Sequence, residues 1–293
     1  MPALTGTAPV GVGSPTTPAV PSFLEFEVTG LCQLRCTHCY ADSGPQGGPG
    51  TMTPENWEHV IDQAAAIGVS MVQFIGGEPT LWPALPRLVR YALSAGLKVW
   101  VYSNLVRVTP ELWELFAQPG VSLGTSWYSA DESTHAKITG SRASHARTAA
   151  NIAEAVARGI FVRAAIVEVT EGQDTERAAG YLRGLGVTDI RIRPQQDLGR
   201  AARDGNAHDA AQLCGRCGDN RAAIMADGQL TPCVVGRWLH SGNVKTTPLA
   251  DIFAGPAWQR SLAIVPRRDP GASAPHDCPP ASDGNDCPPA SCQ

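Results

Sequence analysis

The sequence predicts an α/β fold built on a parallel sheet, followed by a small cysteine-rich segment. Two observations carry this reading. Between Phe23 and Arg193, short β-type segments alternate with helical ones in six repeats, and parallel strands need such crossovers. After Asp197 the alternation stops, and Cys214, Cys217, Cys233, Cys278, Cys287 and Cys292 all lie beyond it. Right-handed crossovers wind six units into an open barrel or a doubly wound sheet, and periodicity leaves both open. Either fold places its chemistry on loops at the C-terminal ends of the strands.

The elements follow in order. Leu24 to Val28 alternates with period two and reads as a strand. Thr53-Pro54-Glu55 opens a helix with a cap, a proline at the first position and an acid in the first turn. Met71 to Ile75 is a short apolar strand ending at Gly76-Gly77, and Trp82 to Ala95 has helical spacing. Lys98–Tyr102 (strand), Thr109–Ala117 (helix) and Val121–Trp127 (strand) continue the pattern. Ser144–Arg158 (helix), Ile160–Val169 (strand), Asp174–Leu185 (helix) and Thr188–Arg193 (strand) complete it. Gly199 to His208 reads as a linker, and Asp227-Gly228 as the turn of a hairpin.

Composition narrows the function. With 293 residues, 43% hydrophobic, the chain can bury a sizeable core. A net charge of −4 gives no footprint for broad nucleic-acid or anionic-membrane binding. No apolar run reaches the roughly 18 residues of a bilayer span. Residues 1–22 carry no charged side chain and lack the parts of a signal peptide, so they read as a disordered leader on a cytoplasmic protein. The cysteine count is odd, and the chain between Cys39 and Cys214 has none, which argues against a secreted disulfide scaffold.

Cys32, Cys36 and Cys39 lie on one short loop after the first strand. Three thiolates there can face one metal centre and leave a position open to a ligand; zinc, copper(I) and iron–sulfur all suit thiolates. Four motifs then coincide with strand ends: C-x3-C-x2-C, Gly76-Gly77-Glu78-Pro79, Tyr102-Ser103-Asn104, and the stretch from Ser126 through His135 to Gly140. Together they resemble the radical S-adenosylmethionine superfamily over roughly residues 23–195.

The resemblance implies a partial (β/α)6 TIM-like barrel over 23–198 and a small C-terminal auxiliary-cluster domain over 199–293. It implies that Cys32, Cys36 and Cys39 bind a [4Fe-4S] cluster whose open iron holds S-adenosylmethionine. His38 would flank the adenine, Gly76 and Gly77 let the backbone approach the cofactor, and Glu78 accept from its ammonium. Ser103 and Asn104 would reach ribose hydroxyls, and Ser126 the carboxylate or ribose. Tyr128 and Ser129 depart from the family pattern, which usually has Asp and Gly there. The implied chemistry is reductive cleavage to a 5′-deoxyadenosyl radical that abstracts hydrogen from a substrate, with a flavodoxin- or ferredoxin-type donor supplying the electron.

Cys217-x10-Gly228-x4-Cys233, with Cys214 just upstream, resembles the opening of the SPASM or twitch extensions of this family. Cys278, Cys287 and Cys292 stand where further ligands are expected, although their spacing differs from the full SPASM pattern. One or two auxiliary [4Fe-4S] clusters are therefore implied; a spare thiol among the last three would serve as a hydrogen-atom donor. A zinc site from Cys214, Cys217 and Cys233 is the alternative that spacing alone permits. Maturation of a ribosomally made peptide by cross-linking, thioether formation or epimerisation is the expected function. Since only 22 residues precede the first strand, a separate recognition protein, or recognition by the barrel itself, is expected with it. An epimerase or dehydrogenase of a sugar-derived small molecule is the second expectation, and a non-enzymatic iron–sulfur or zinc module the third.

Overall fold

A computed structural model of the chain describes residues 20–202, 205 and 208–266. Its first part runs β1 (Phe23–Glu27), α1 (Pro54–Ala66), β2 (Met71–Ile75), α2 (Leu85–Ser94), β3 (Lys98–Tyr102) and α3 (Pro110–Phe116). It continues through β4 (Val121–Trp127), α4 (Glu132–Thr139), α5 (Ser144–Ala157), β5 (Val162–Glu168), α6 (Thr175–Gly184) and β6 (Asp189–Pro194). The remainder holds β7 (Arg221–Ile224), β8 (Gln229–Thr231), β9 (Gly242–Asn243), α7 (Leu249–Ala254) and α8 (Pro256–Ile264).

Strands β1 to β6 are parallel neighbours in chain order. That arrangement is the partial (β/α)6 barrel. Its outer face is the main core: Leu24 and Phe26 of β1 pack with Trp57, Val60 and Ile61 of α1. Phe26 and Trp57 stand 5.1 Å apart, ring to ring, and full burial of such a side chain contributes about 2 kcal/mol. The alternate residues of β1, Glu25 and Glu27, are also buried, and each has a polar partner. Gln73 donates to Glu25 at 3.3 Å, and Arg237 grips Glu27 with two contacts of 2.6 and 2.8 Å.

Helix signals in the sequence are realised as caps. Thr53 and Asn56 form a capping box at α1, Thr109 caps α3, and Asp174 caps α6. Each such cap contributes about 1 kcal/mol. Helix α4 was not expected, because Ile138 and Ala136 are its only apolar residues; Asp131 caps its start and Gly140, in the left-handed region, ends it. Helices α7 and α8 were also not expected. Each is short and folds because Leu249, Ile252, Phe253 and Trp258 join the main core.

The hairpin expected at Asp227-Gly228 is present as antiparallel β7 and β8. It does not stand apart from the barrel, because β7 pairs in parallel with β1. The sheet of the described residues is therefore continuous, in the order β6-β5-β4-β3-β2-β1-β7-β8-β9. A second core, with Ile75, Met225, Cys217, Cys233 and Leu213, lies between the barrel and the extension. No helix among the described residues is long and apolar enough to cross a membrane.

Candidate active site

The C-terminal ends of β1 to β4 surround a cavity of about 120 Å³. Cys32, Cys36 and Cys39 all line it as free thiols, together with His38, Gly76, Gly77, Ser103, Asn104 and Ser126. The loop that carries the cysteines is anchored on both sides. Cys32 donates its N–H to the Gly44 carbonyl, while Arg35 and Thr37 donate to the carbonyls of Thr139 and Ile138 at the end of α4. The unexpected helix thus positions the cysteine loop.

The sulfurs already receive polar contacts. The Leu34 N–H donates to Cys32 Sγ and the Ser43 N–H to Cys39 Sγ, both at 3.4 Å. The Asn104 amide donates to Cys32 Sγ at 3.7 Å. Burial nevertheless pushes the Cys32 and Cys36 thiols up to about 12. Such thiols ionise only when a cationic centre compensates, so loading one here would release protons.

The donor set suits an iron–sulfur cluster. Three free thiols on one loop, two of which already accept backbone N–H groups, supply the soft ligands such a cluster takes. In the extension Cys217 and Cys233 are buried with their sulfurs 3.0 Å apart, and Cys214 is buried close by in sequence. Cys278, Cys287 and Cys292 lie outside the described residues, as do residues 1–19, where the sequence led us to expect a leader.

The Gly76-Gly77-Glu78 stretch also has a place in the protein's own fold. A Cβ on Gly76 would meet the Thr29 carbonyl at 2.4 Å, and one on Gly77 the Leu31 carbonyl at 2.4 Å. Gly77 and Glu78 donate their N–H groups to the carbonyls of Thr29 and Leu31, so the loop after β2 is zipped to the loop after β1. Glu78 is fully buried and does not line the cavity. Its carboxylate accepts from the Thr80 N–H and hydroxyl, the Ser103 hydroxyl and the Asn104 N–H, between 2.7 and 3.1 Å. Burial pushes its pKa up, against these hydrogen bonds. These hydrogen bonds tie the loop after β2 to the end of β3 and place Ser103 and Asn104.

The far wall of the cavity is aromatic. The His38 ring lies 4.9 Å from that of Tyr128, which lies 5.3 Å from His135. Burial holds both imidazoles neutral, down to about 4, with Arg200 adding to the effect at His38 and His145 at His135. Ser126 is hydrogen-bonded to Tyr102 at 2.9 Å. Thr148 and Arg200 were not singled out from sequence, because they come from segments with no motif of their own.

Residues 26–176 match the model of the Radical SAM superfamily, and residues 214–287 match that of SPASM, an iron–sulfur cluster-binding domain. The chain is 30% identical over 178 residues to the mycofactocin maturase MftC of Mycobacterium tuberculosis, covering 59% of this chain and 45% of that protein. It is 34% identical over 133 residues to the AdoMet-dependent heme synthase of Methanosarcina barkeri, covering 45% and 38%. It is 28% identical over 184 residues to the subtilosin biosynthesis protein AlbA of Bacillus subtilis, covering 62% and 41%. The chain thus spans less than half the length of these relatives. Streptococcus suis SuiB bound to its precursor peptide SuiA superposes with a TM-score of 0.70 at 16% identity, covering 83% of this chain and 67% of that chain. AdoMet-bound anSMEcpe gives 0.65 at 13% identity, covering 82% and 79%. At such identities these two likenesses show the fold.

Proposed function

Because this chain belongs to the radical S-adenosylmethionine superfamily, we propose that it is a peptide-modifying enzyme that generates its oxidant in the cavity at the ends of β1 to β4. The single observation that carries the chemistry is the convergence of three free thiols, Cys32, Cys36 and Cys39, on that cavity. They would hold a [4Fe-4S] cluster with one iron left for S-adenosylmethionine. When bound, this pair supplies one-electron cleavage of a carbon–sulfur bond and, from it, hydrogen-atom abstraction. The chain's own residues orient and enclose it. The Gly76-Gly77 backbone forms one wall, Ser103 and Asn104 offer groups for ribose, and His38 against Tyr128 provides a flat surface for adenine. The aromatic wall and buried histidines keep water from the reacting atoms.

The peptide reading is supported by the relatives whose names give maturation or bacteriocin biosynthesis, and by the SPASM match. Within it, Cys217 and Cys233 would ligate auxiliary iron, with Cys214 and with the cysteines of the tail. The electron would come from a flavodoxin- or ferredoxin-type donor.

Anaerobic reconstitution with iron and sulfide counting, followed by an assay for 5′-deoxyadenosine, tests this reading. We expect eight or twelve irons in the wild type and loss of deoxyadenosine when Cys32, Cys36 and Cys39 are all replaced by Ala. Persistence of the product in that variant refutes the site. No change in its yield with any small peptide encoded nearby refutes the peptide substrate.

A further inference from the structure

After β6 the chain makes a tight 3-10 turn at Gly199–Ala201. Its Arg200 reaches back across the molecule to the cysteine loop. The guanidinium donates to the Cys36 carbonyl and to the Ser43 carbonyl, each at 2.6 Å, and to Asp42 Oδ1 at 3.0 Å. A second contact to the Asp42 carboxylate is 2.9 Å. The Arg200 backbone N–H donates to the Cys39 carbonyl at 2.9 Å. One residue therefore ties down the carbonyls of two of the three cysteines and closes the segment between Cys36 and Ser43.

The approach is close enough to dictate the residue before it. Gly199 has φ +57, and a Cβ there would stand 2.2 Å from the Tyr40 carbonyl and 2.5 Å from that of Cys39. The planar guanidinium serves several acceptors at once, which an ammonium on a flexible stem does not match. Its counter-ion, Asp42, has a side chain that is 73% exposed and so is solvent-screened, whereas that of Arg200 is 29% exposed and turned onto the loop.

Building on the cluster assignment above, we propose that Arg200 is a positioning residue for the iron-loaded loop. It fixes the backbone on which the cysteines stand, and its permanent positive charge raises the reduction potential of the group they hold. The direction follows from electrostatics: a reduced cluster carries one more negative charge, and a nearby cation favours that state. The linker to the C-terminal segment would then set the driving force at the first cluster.

The test uses the full chain with Arg200→Gln, Arg200→Lys and Gly199→Ala. Hydrogen exchange of residues 32–43 is measured on the iron-free protein, and the reconstituted protein is titrated electrochemically. Its paramagnetic signal that changes on adding S-adenosylmethionine reports the cluster of this loop. We expect Arg200→Gln to exchange faster across 36–43 and to shift the potential to more negative values. Arg200→Lys should retain most of the potential while losing protection, which a purely structural role does not produce. Gly199→Ala should lose protection with the arginine still present. Unchanged exchange in Arg200→Gln, or an unchanged potential at full iron content, overturns the inference and leaves the site assignment intact. A wild-type chain that takes up no iron on this loop overturns the site assignment and the inference together.

Discussion

Replacing Glu78 separates two roles for the buried carboxylate. Its two oxygens accept four hydrogen bonds, two of them from the backbone N–H groups of Thr80 and Asn104. In Glu78→Gln, the side-chain NH2 must face one of those backbone donors whichever way the amide is turned. One buried N–H is then left without an acceptor, at about 1–3 kcal/mol. Glu78→Ala strands both, for about 2–6 kcal/mol, against a total stability of roughly 5–15 kcal/mol for a domain. Urea unfolding of the iron-free chain reads this loss without any cofactor present. We expect the midpoint to fall in the order wild type, Gln, Ala. A Gln variant that unfolds at the wild-type midpoint yet no longer binds S-adenosylmethionine would show the carboxylate to be reserved for the cofactor, and would refute the reasoning.

Two further outcomes follow from the same geometry. Gly77→Ala places a methyl 2.4 Å from the Leu31 carbonyl and 2.8 Å from that of Gly30; overpacking of this kind costs about 1–3 kcal/mol, and a drop in melting temperature of the iron-free chain checks it. Asp189 bridges Arg163 and Arg191 at 2.6 and 2.9 Å. Burial raises its pKa, but the two arginines outweigh that and hold it below the ordinary carboxylate value. A depressed pKa means stability present above the unfolded value of about 3.9 and lost as the pH falls through the folded one. The melting-temperature gap between wild type and Asp189→Asn should therefore shrink as the pH drops from about 4 towards 2; a constant gap over that range excludes the ion pair as its source.

The barrel was legible because its punctuation is local. Thr53, Thr109 and Asp174 cap helices, and Gly68, Gly96, Gly159 and Gly186 all turn through positive φ where helices stop. The cysteine loop was legible for the same reason, its ligands lying within eight residues of one another. What escaped depends on distance along the chain. Glu78 finds Ser103 and Asn104 just past the end of the next strand, 25 and 26 residues away. Gly76 and Gly77 answer to a backbone before α1, and Arg200 reaches Ser43 across 157 residues. Helix α4 escaped for another reason: it is held by its cap and by the loop it supports, and shows little apolar periodicity.

Strand β1, from whose end the cysteine loop springs, is an interior strand with β2 on one side and β7 on the other. The two flanking partners reach it at very different times. Ser22, at its edge, bonds to Asn220 across a separation of 198 residues. Pairing at such range is slow to form in a folding chain. Until β7 arrives, the outer edge of β1 presents bare N–H and C=O groups that any other extended segment can occupy. Cutting the chain after Leu198 to isolate the barrel would thus yield an aggregation-prone fragment, with the strand that delivers the cysteines as its exposed template.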